Sequence, residues 1–209
     1  MIFKIPNVTV VNASITLSLR CPACSQRGTF EVVTQHDLLK TDDNTILGHR
    51  RCPNDQCKAH IFFARRQNHL LVSYPAERID FDASSIPPKV LAAMEEAITC
   101  HASSCFVASA IMVRKCLEEL CRDRKAKGTN LKERLRALGS AVILPPELLQ
   151  GLDDLRLLGN DAAHVESEEY DQIGEAEVET AIEFTKEVLK AVFQYSALLE
   201  RLRNLKKKP

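Results

Sequence analysis

The chain has 209 residues, 45% of them hydrophobic, and its 28 Lys and Arg balance its 28 Asp and Glu. That length holds one ordinary domain and a small one, with enough apolar residues for a sizeable core. No apolar run approaches the length that spans a bilayer, so no membrane partner is expected. The opening Met1-Ile-Phe-Lys-Ile-Pro6 lacks the pattern of a secretory leader, so the eight cysteines are expected to be reduced thiols in the cytoplasm.

Residues 8–20 alternate, with Val8, Val10, Ile15, Leu17 and Leu19 separated by polar residues, which predicts β structure. Cys21-Pro-Ala-Cys24 follows, and then a strand at Thr29-Phe-Glu-Val-Val33. A second cysteine pair stands at Cys52-Pro-Asn-Asp-Gln-Cys57. Ile61 to Ala64 and Leu70 to Tyr74 complete a small antiparallel set. Two cysteine pairs on separate turns are the donor pattern of a zinc ribbon, with one structural Zn²⁺ bound tetrahedrally by Cys21, Cys24, Cys52 and Cys57. Four sulfurs leave no open coordination position, so catalysis at the metal is not expected. His49 and His60 lie close enough in sequence to substitute for a cysteine. A domain this small depends on its metal.

Residues 1–80 carry ten Lys and Arg against seven Asp and Glu, and residues 81–209 carry 18 against 21. The first part is mildly basic. Arg50, Arg51, Lys58, Arg65 and Arg66 cluster around the second cysteine pair, where they are either a phosphate-contacting group or a solvated face.

The polar stretch Ala76 to Ser85 reads as a linker, and the boundary is placed near residue 80, giving domains 1–80 and 81–209. Everything after Pro88 reads as helix. The first helix is expected from Lys89 to about His101. The second carries Phe106, Ala110, Val113, Leu117 and Leu120 at helical spacing and stops at Gly128. Asn130 caps a third over 131–138, Pro145-Pro146 opens a fourth, and a long fifth runs from about Glu175 to Arg203. The fifth has apolar positions at Ile182, Val188, Val192, Tyr195, Leu199 and Leu202. Cys100, Cys105, Cys116 and Cys121 form no paired motif and are expected to be reduced packing residues, with a second metal or redox site as the alternative. The fold class is therefore α+β and mainly α, a small β ribbon followed by a helical bundle.

If the fourth helix continues through Leu155-Arg-Leu-Leu-Gly-Asn-Asp-Ala-Ala-His164, then Arg156, Asn160 and His164 form a polar stripe at four-residue intervals. Arg114 and Glu118 hold a similar border position on the second helix, where an ion pair at that spacing is also simply a helix stabiliser. The run from Tyr74-Pro75 through Ala110 to Glu118 and on to His164 resembles the bacterial domain of unknown function numbered four-one-four-five, among the HEPN-like helical domains. The resemblance spans about residues 74–195. It implies a dimeric bundle with an N-terminal zinc ribbon, a setting in bacterial defence, restriction or stress systems, and RNA, DNA or protein partners. Active HEPN-like proteins are metal-independent RNases, which would make His164 the proton-transfer residue and Arg156 the phosphate ligand. Seven residues separate Arg156 from His164, and Gly159 stands where the motif places its arginine. A non-catalytic, nucleic-acid-associated adaptor is accordingly the expected function, with the RNase as the alternative.

Overall fold

The computed structural model describes residues 7–141, 147–148, 150–152, 155 and 173–205. The chain divides into two compact units, Met1–Asp80 and Phe81–Pro209. The first is an antiparallel β structure and the second is helical. Among the described residues, no helix is long and apolar enough to cross a membrane.

Seven strands build the first unit: β1 (Val8–Asn12), β2 (Leu17–Arg20), β3 (Arg27–Val32), β4 (His36–Lys40), β5 (Thr45–Arg51), β6 (His60–Arg66) and β7 (His69–Tyr74). The alternation over 8–20 thus forms two strands that join different neighbours. β1 pairs with β4 and β2 pairs with β3. Strand β5 is central. One of its edges is shared by β4 and β3, while β6 pairs along its whole length from Thr45 to Arg51. Strand β7 completes the order beyond β6.

The two sheet faces differ. One face closes over Leu17, Leu19, Phe30, Ile61 and Phe63, and the sulfurs of Cys21 and Cys52 belong to this cluster. On the other face, Val10, Leu38, Leu47, Ala64 and Val72 line up across five strands in direct register. Directly opposed residues share a face. A second row places His49, Phe62 and Tyr74 side by side.

Inside the first unit lies a charge pair that the sequence does not announce. Arg50 and Asp37 are 0% and 1% exposed at their side chains, and Arg50 Nη2 lies 2.6 Å from Asp37 Oδ2. Arg50 Nη1 also donates to Asp37 Oδ1 at 2.8 Å and to the His49 carbonyl. Nε and Nη2 both donate to the Ile15 carbonyl, and the guanidinium lies 4.8 Å from the centre of the Phe63 ring. Every N–H of the guanidinium thus has an acceptor, which a buried arginine requires. Gly48 sits directly against this pair. A Cβ there would collide with Asp37 Oδ1 and with the Phe63 ring.

The helical unit begins with α1 (Pro88–Ala102), whose proline at the first position suits a helix start. It packs on α2 (Phe106–Asp123) through Val90, Ala93, Met94 and Ala97 against Ala110, Val113, Leu117 and Leu120. Ser109 donates to the Ala97 carbonyl at 2.7 Å inside this contact. Helix α2 stops at Asp123, short of Gly128, because Lys125 turns into positive φ. Asn130 caps α3 (Leu131–Ala141) as expected. Its Oδ1 accepts from the Glu133 amide at 3.0 Å, and Glu133 reaches back to the Thr129 amide.

Residues 147, 148, 150–152 and 155 are helical, with Leu152 and Leu155 buried. Next comes α4 (Glu175–Leu189), a π-helical turn at Lys190–Gln194, and α5 (Tyr195–Leu205). The long fifth helix of the sequence reading is therefore one continuous run with a π insertion. Arg124, at the C-cap of α2, donates to the Val192 carbonyl of the π turn at 3.0 Å and lies over the Phe193 ring. An inserted residue rotates everything after it by about 100°. Ile182, Val188 and Val192 are buried as the periodicity predicts, whereas Tyr195, Leu199 and Leu202 are exposed. They form an outward stripe with Leu198 and Leu205.

Candidate metal centre

Two tight turns, between β2 and β3 and between β5 and β6, carry the four cysteines. They have two and four residues between their sulfurs, yet they close in the same way. The first cysteine amide donates to the carbonyl two residues beyond the second cysteine, Cys21 to Gln26 at 2.9 Å and Cys52 to Ala59 at 2.8 Å. The residue after the second cysteine turns back with positive φ, Ser25 at 60° and Lys58 at 50°. Its amide then returns to a carbonyl three residues before that second cysteine, Ser25 to Cys21 and Lys58 to Asn54. The two additional residues of the second turn are absorbed around Asn54, whose side chain accepts from the Gln56 amide.

These turns bring all four sulfurs within 4.8 Å of one another. Cys21 and Cys57 are 3.8 Å apart, as are Cys24 and Cys52. For a Zn–S bond of about 2.3 Å, a regular tetrahedron has sulfur edges of about 3.8 Å. A disulfide would hold its sulfurs at about 2.05 Å, and all four cysteines are free thiols. The four residues therefore fit a tetrahedral metal ion of thiolate preference. Gly28 on β3 helps the two turns meet, since a Cβ there would lie 2.9 Å from the Pro53 ring.

The surroundings bias the sulfurs differently. The Gln26 amide hydrogen bond brings the Cys24 thiol down to about 7. The Ala59 amide acts the same way on Cys57, but burial and the adjacent thiols outweigh it and leave that thiol raised. Burial pushes Cys52 up to about 12. A bound cation reverses this last effect, because it takes its thiols as thiolates and supplies the compensating charge.

The other candidate ligands go elsewhere. His49 and His60 hydrogen-bond to each other at 2.9 Å, and His49 stacks on Phe62 with ring centres 4.5 Å apart. Burial, followed by the fields of His60 and Arg50, holds His49 below the ordinary imidazole value.

The arginine cluster is also reassigned. Arg50 is the buried partner of Asp37 and cannot reach a phosphate. Arg51 pairs with Glu31 at 2.8 Å, and Lys58 pairs with Asp55 at 2.7 Å. Arg66 pairs with Asp43, whose carboxyl is held down to about 2 by the Thr45 hydroxyl, aided by Lys40 and Arg66. Arg65 donates to the Thr16 carbonyl and to Asn68. The acids that neutralise this group come largely from β3, β4 and the turn after β4.

In the helical unit, Arg114 and Glu118 form an i,i+4 ion pair at 3.3 Å on α2. The proposed stripe of Arg156, Asn160 and His164 lies outside the described residues. Cys116 and Cys121 are buried packing thiols, pushed up to about 12 and about 11 by burial. Cys105 differs from the expectation and is exposed.

The fold and site define an α+β protein in which an antiparallel sheet bearing a cluster of four cysteines that could hold a metal ion precedes a helical unit. Residues 95–208, more than half of the chain, match the family described as Domain of unknown function (DUF4145), and the chain belongs to that family. The match starts inside α1, so Tyr74-Pro75 falls outside it. No curated protein and no solved structure matches the chain.

Proposed function

We propose that this protein is a nucleic-acid-associated, non-catalytic adaptor of a bacterial defence, restriction or stress system. It joins a zinc ribbon, stapled by one Zn²⁺ on Cys21, Cys24, Cys52 and Cys57, to a HEPN-like helical domain. The domains are residues 1–80 and 81–209. One observation carries the reading: Phe62 and Tyr74 are cross-strand neighbours that stand 57% and 76% exposed, with His49 stacked against Phe62. They border a concavity of about 410 Å³ walled by Leu38, Leu47 and Val72. Exposed aromatic rings on a sheet face are a platform for unpaired bases, because every base has a face that stacks. The neighbouring cations are already held by carboxylates, so the platform favours single strands bound by stacking over duplex bound by phosphate contacts.

Fluorescence anisotropy with short single-stranded RNA and DNA tests this reading. Phe62→Ala and Tyr74→Ala are each expected to weaken binding by about 5- to 150-fold, the equivalent of about 1–3 kcal/mol per stacked base. A shallow dependence of affinity on salt is expected in the same titrations. Both side chains are exposed, so neither change disturbs the core. Binding that both variants leave unaltered removes the aromatic platform as the site, and no binding at all removes nucleic acid as the ligand. RNA should also remain intact without divalent metal. Cleavage that vanishes in His164→Ala would instead establish the metal-independent RNase built on Arg156 and His164.

The helical domain supplies the dimer in this reading. Tyr195, Leu198, Leu202 and Leu205 repeat at three- and four-residue spacing on the exposed face of α5, the pattern of a helix–helix seam. Sedimentation equilibrium should find a homodimer, and Leu198→Glu with Leu202→Glu should make it monomeric. A wild type that sediments as a monomer at high concentration refutes the seam.

A further inference from the structure

The α1–α2 turn holds two cysteines in a defined relation. Ser104 has φ 58°, its amide donates to the His101 carbonyl at 2.8 Å, and the Cys105 amide donates to the Cys100 carbonyl at 2.9 Å. This nested pair of bonds around a left-handed residue is a Schellman motif. In that motif the side chains of the two residues joined by the outer bond commonly touch. Here both residues are cysteine. Cys100 is half-buried and Cys105 is exposed, and both are free thiols.

We propose that Cys100 and Cys105 are a dithiol modification site that closes to an intramolecular disulfide on reaction with a low-molecular-weight disulfide. Exposure and a position at the N-cap of the 18-residue α2 make Cys105 the sulfur that meets the oxidant. Its thiolate attacks one sulfur of R–S–S–R, forming a mixed disulfide and releasing one R–S⁻. Cys100 then loses its proton to solvent and attacks the Cys105 sulfur, breaking the mixed disulfide and releasing the second R–S⁻. Two electrons pass from the protein thiols to the oxidant, which leaves as two thiols once protonated. Burial, with the nearby Cys105 and Glu96, raises the Cys100 thiol and so leaves the first attack to Cys105. Cys116 and Cys121 are both buried and have no such access. The bond would clip the turn without requiring the helices to separate, because the backbone bonds already hold the two residues together.

The site is tested on the full-length, metal-loaded protein treated with glutathione disulfide, acid-quenched, alkylated and digested with trypsin. Residues 90–114 form one tryptic peptide that contains Cys100 and Cys105 and no other cysteine. The wild-type peptide should resist alkylation, weigh less by two hydrogens, and take up two alkyl groups after reduction. Cys100→Ser should instead retain glutathione on Cys105, and Cys105→Ser should prevent closure. Either a wild-type peptide that keeps two free thiols or one that keeps a stable glutathione adduct on Cys105 under excess oxidant overturns the proposal. Closure seen only after the protein is unfolded does so as well.

Discussion

Replacing Asp37 with alanine should destabilise the metal-loaded protein by about 3–5 kcal/mol, read as a shift in the guanidinium unfolding midpoint of the β unit. The reason is the Arg50 guanidinium. It is wholly buried, and Asp37 is its only carboxylate partner within salt-bridge distance among the described residues. Truncation leaves a cation without compensation, whereas removing both charges does not. Asp37→Leu combined with Arg50→Met should therefore recover most of the loss. The Ile15 and His49 carbonyls would lose their donors in that double variant, so recovery should fall short of wild type. A single variant that costs less than about 1 kcal/mol, the range of an exposed pair, would mean that the pair is solvated.

The second large effect is expected at the metal. Metal analysis should find about one zinc per chain in the wild type and almost none in Cys52→Ser, whose sheet should unfold, since structural zinc sites contribute apparent free energies of about 10–16 kcal/mol. Cys52 is 1% exposed and belongs to the same apolar cluster as Leu17, Leu19, Phe30, Ile61 and Phe63. Losing the ion therefore opens the core as well as the turns. A chelator should do the same to the wild type, removing amide protection from β2, β3, β5 and β6. The helical unit has its own core, from Met94 through Leu117 to Ile182, and should keep its helical circular dichroism. Full zinc occupancy in Cys52→Ser would overturn the four-cysteine assignment, and protected strands after chelation would overturn the dependence of the sheet on metal.

The two paired-cysteine turns, the strands at 29–33, 61–64 and 70–74, the first two helices and the Asn130 cap could be read from residue spacing, because each is a local pattern of period or turn chemistry. Strands β4 and β5 could not. His36-Asp-Leu-Leu-Lys40 and Thr45-Ile-Leu-Gly-His-Arg-Arg51 carry too much charge to look like core strands. Their charges are tolerated because Arg50 of β5 ion-pairs with Asp37 of β4 and Arg51 of β5 with Glu31 of β3. The same pairing converted a suspected phosphate-binding cluster into internal ion pairs. Pairing of β5 with β6 and of β6 with β7 also assembled the row of His49, Phe62 and Tyr74 from three successive strands.

The sequence by itself picked out the four cysteines that cluster as a possible metal site, because thiol chemistry and turn spacing are written in adjacent residues. It also determined the helical character of the second half, through apolar periodicity. Only the tertiary structure decided which charges are buried and which apolar residues remain outside. Those outcomes depend on strand register and on one π turn that rotates a helix face.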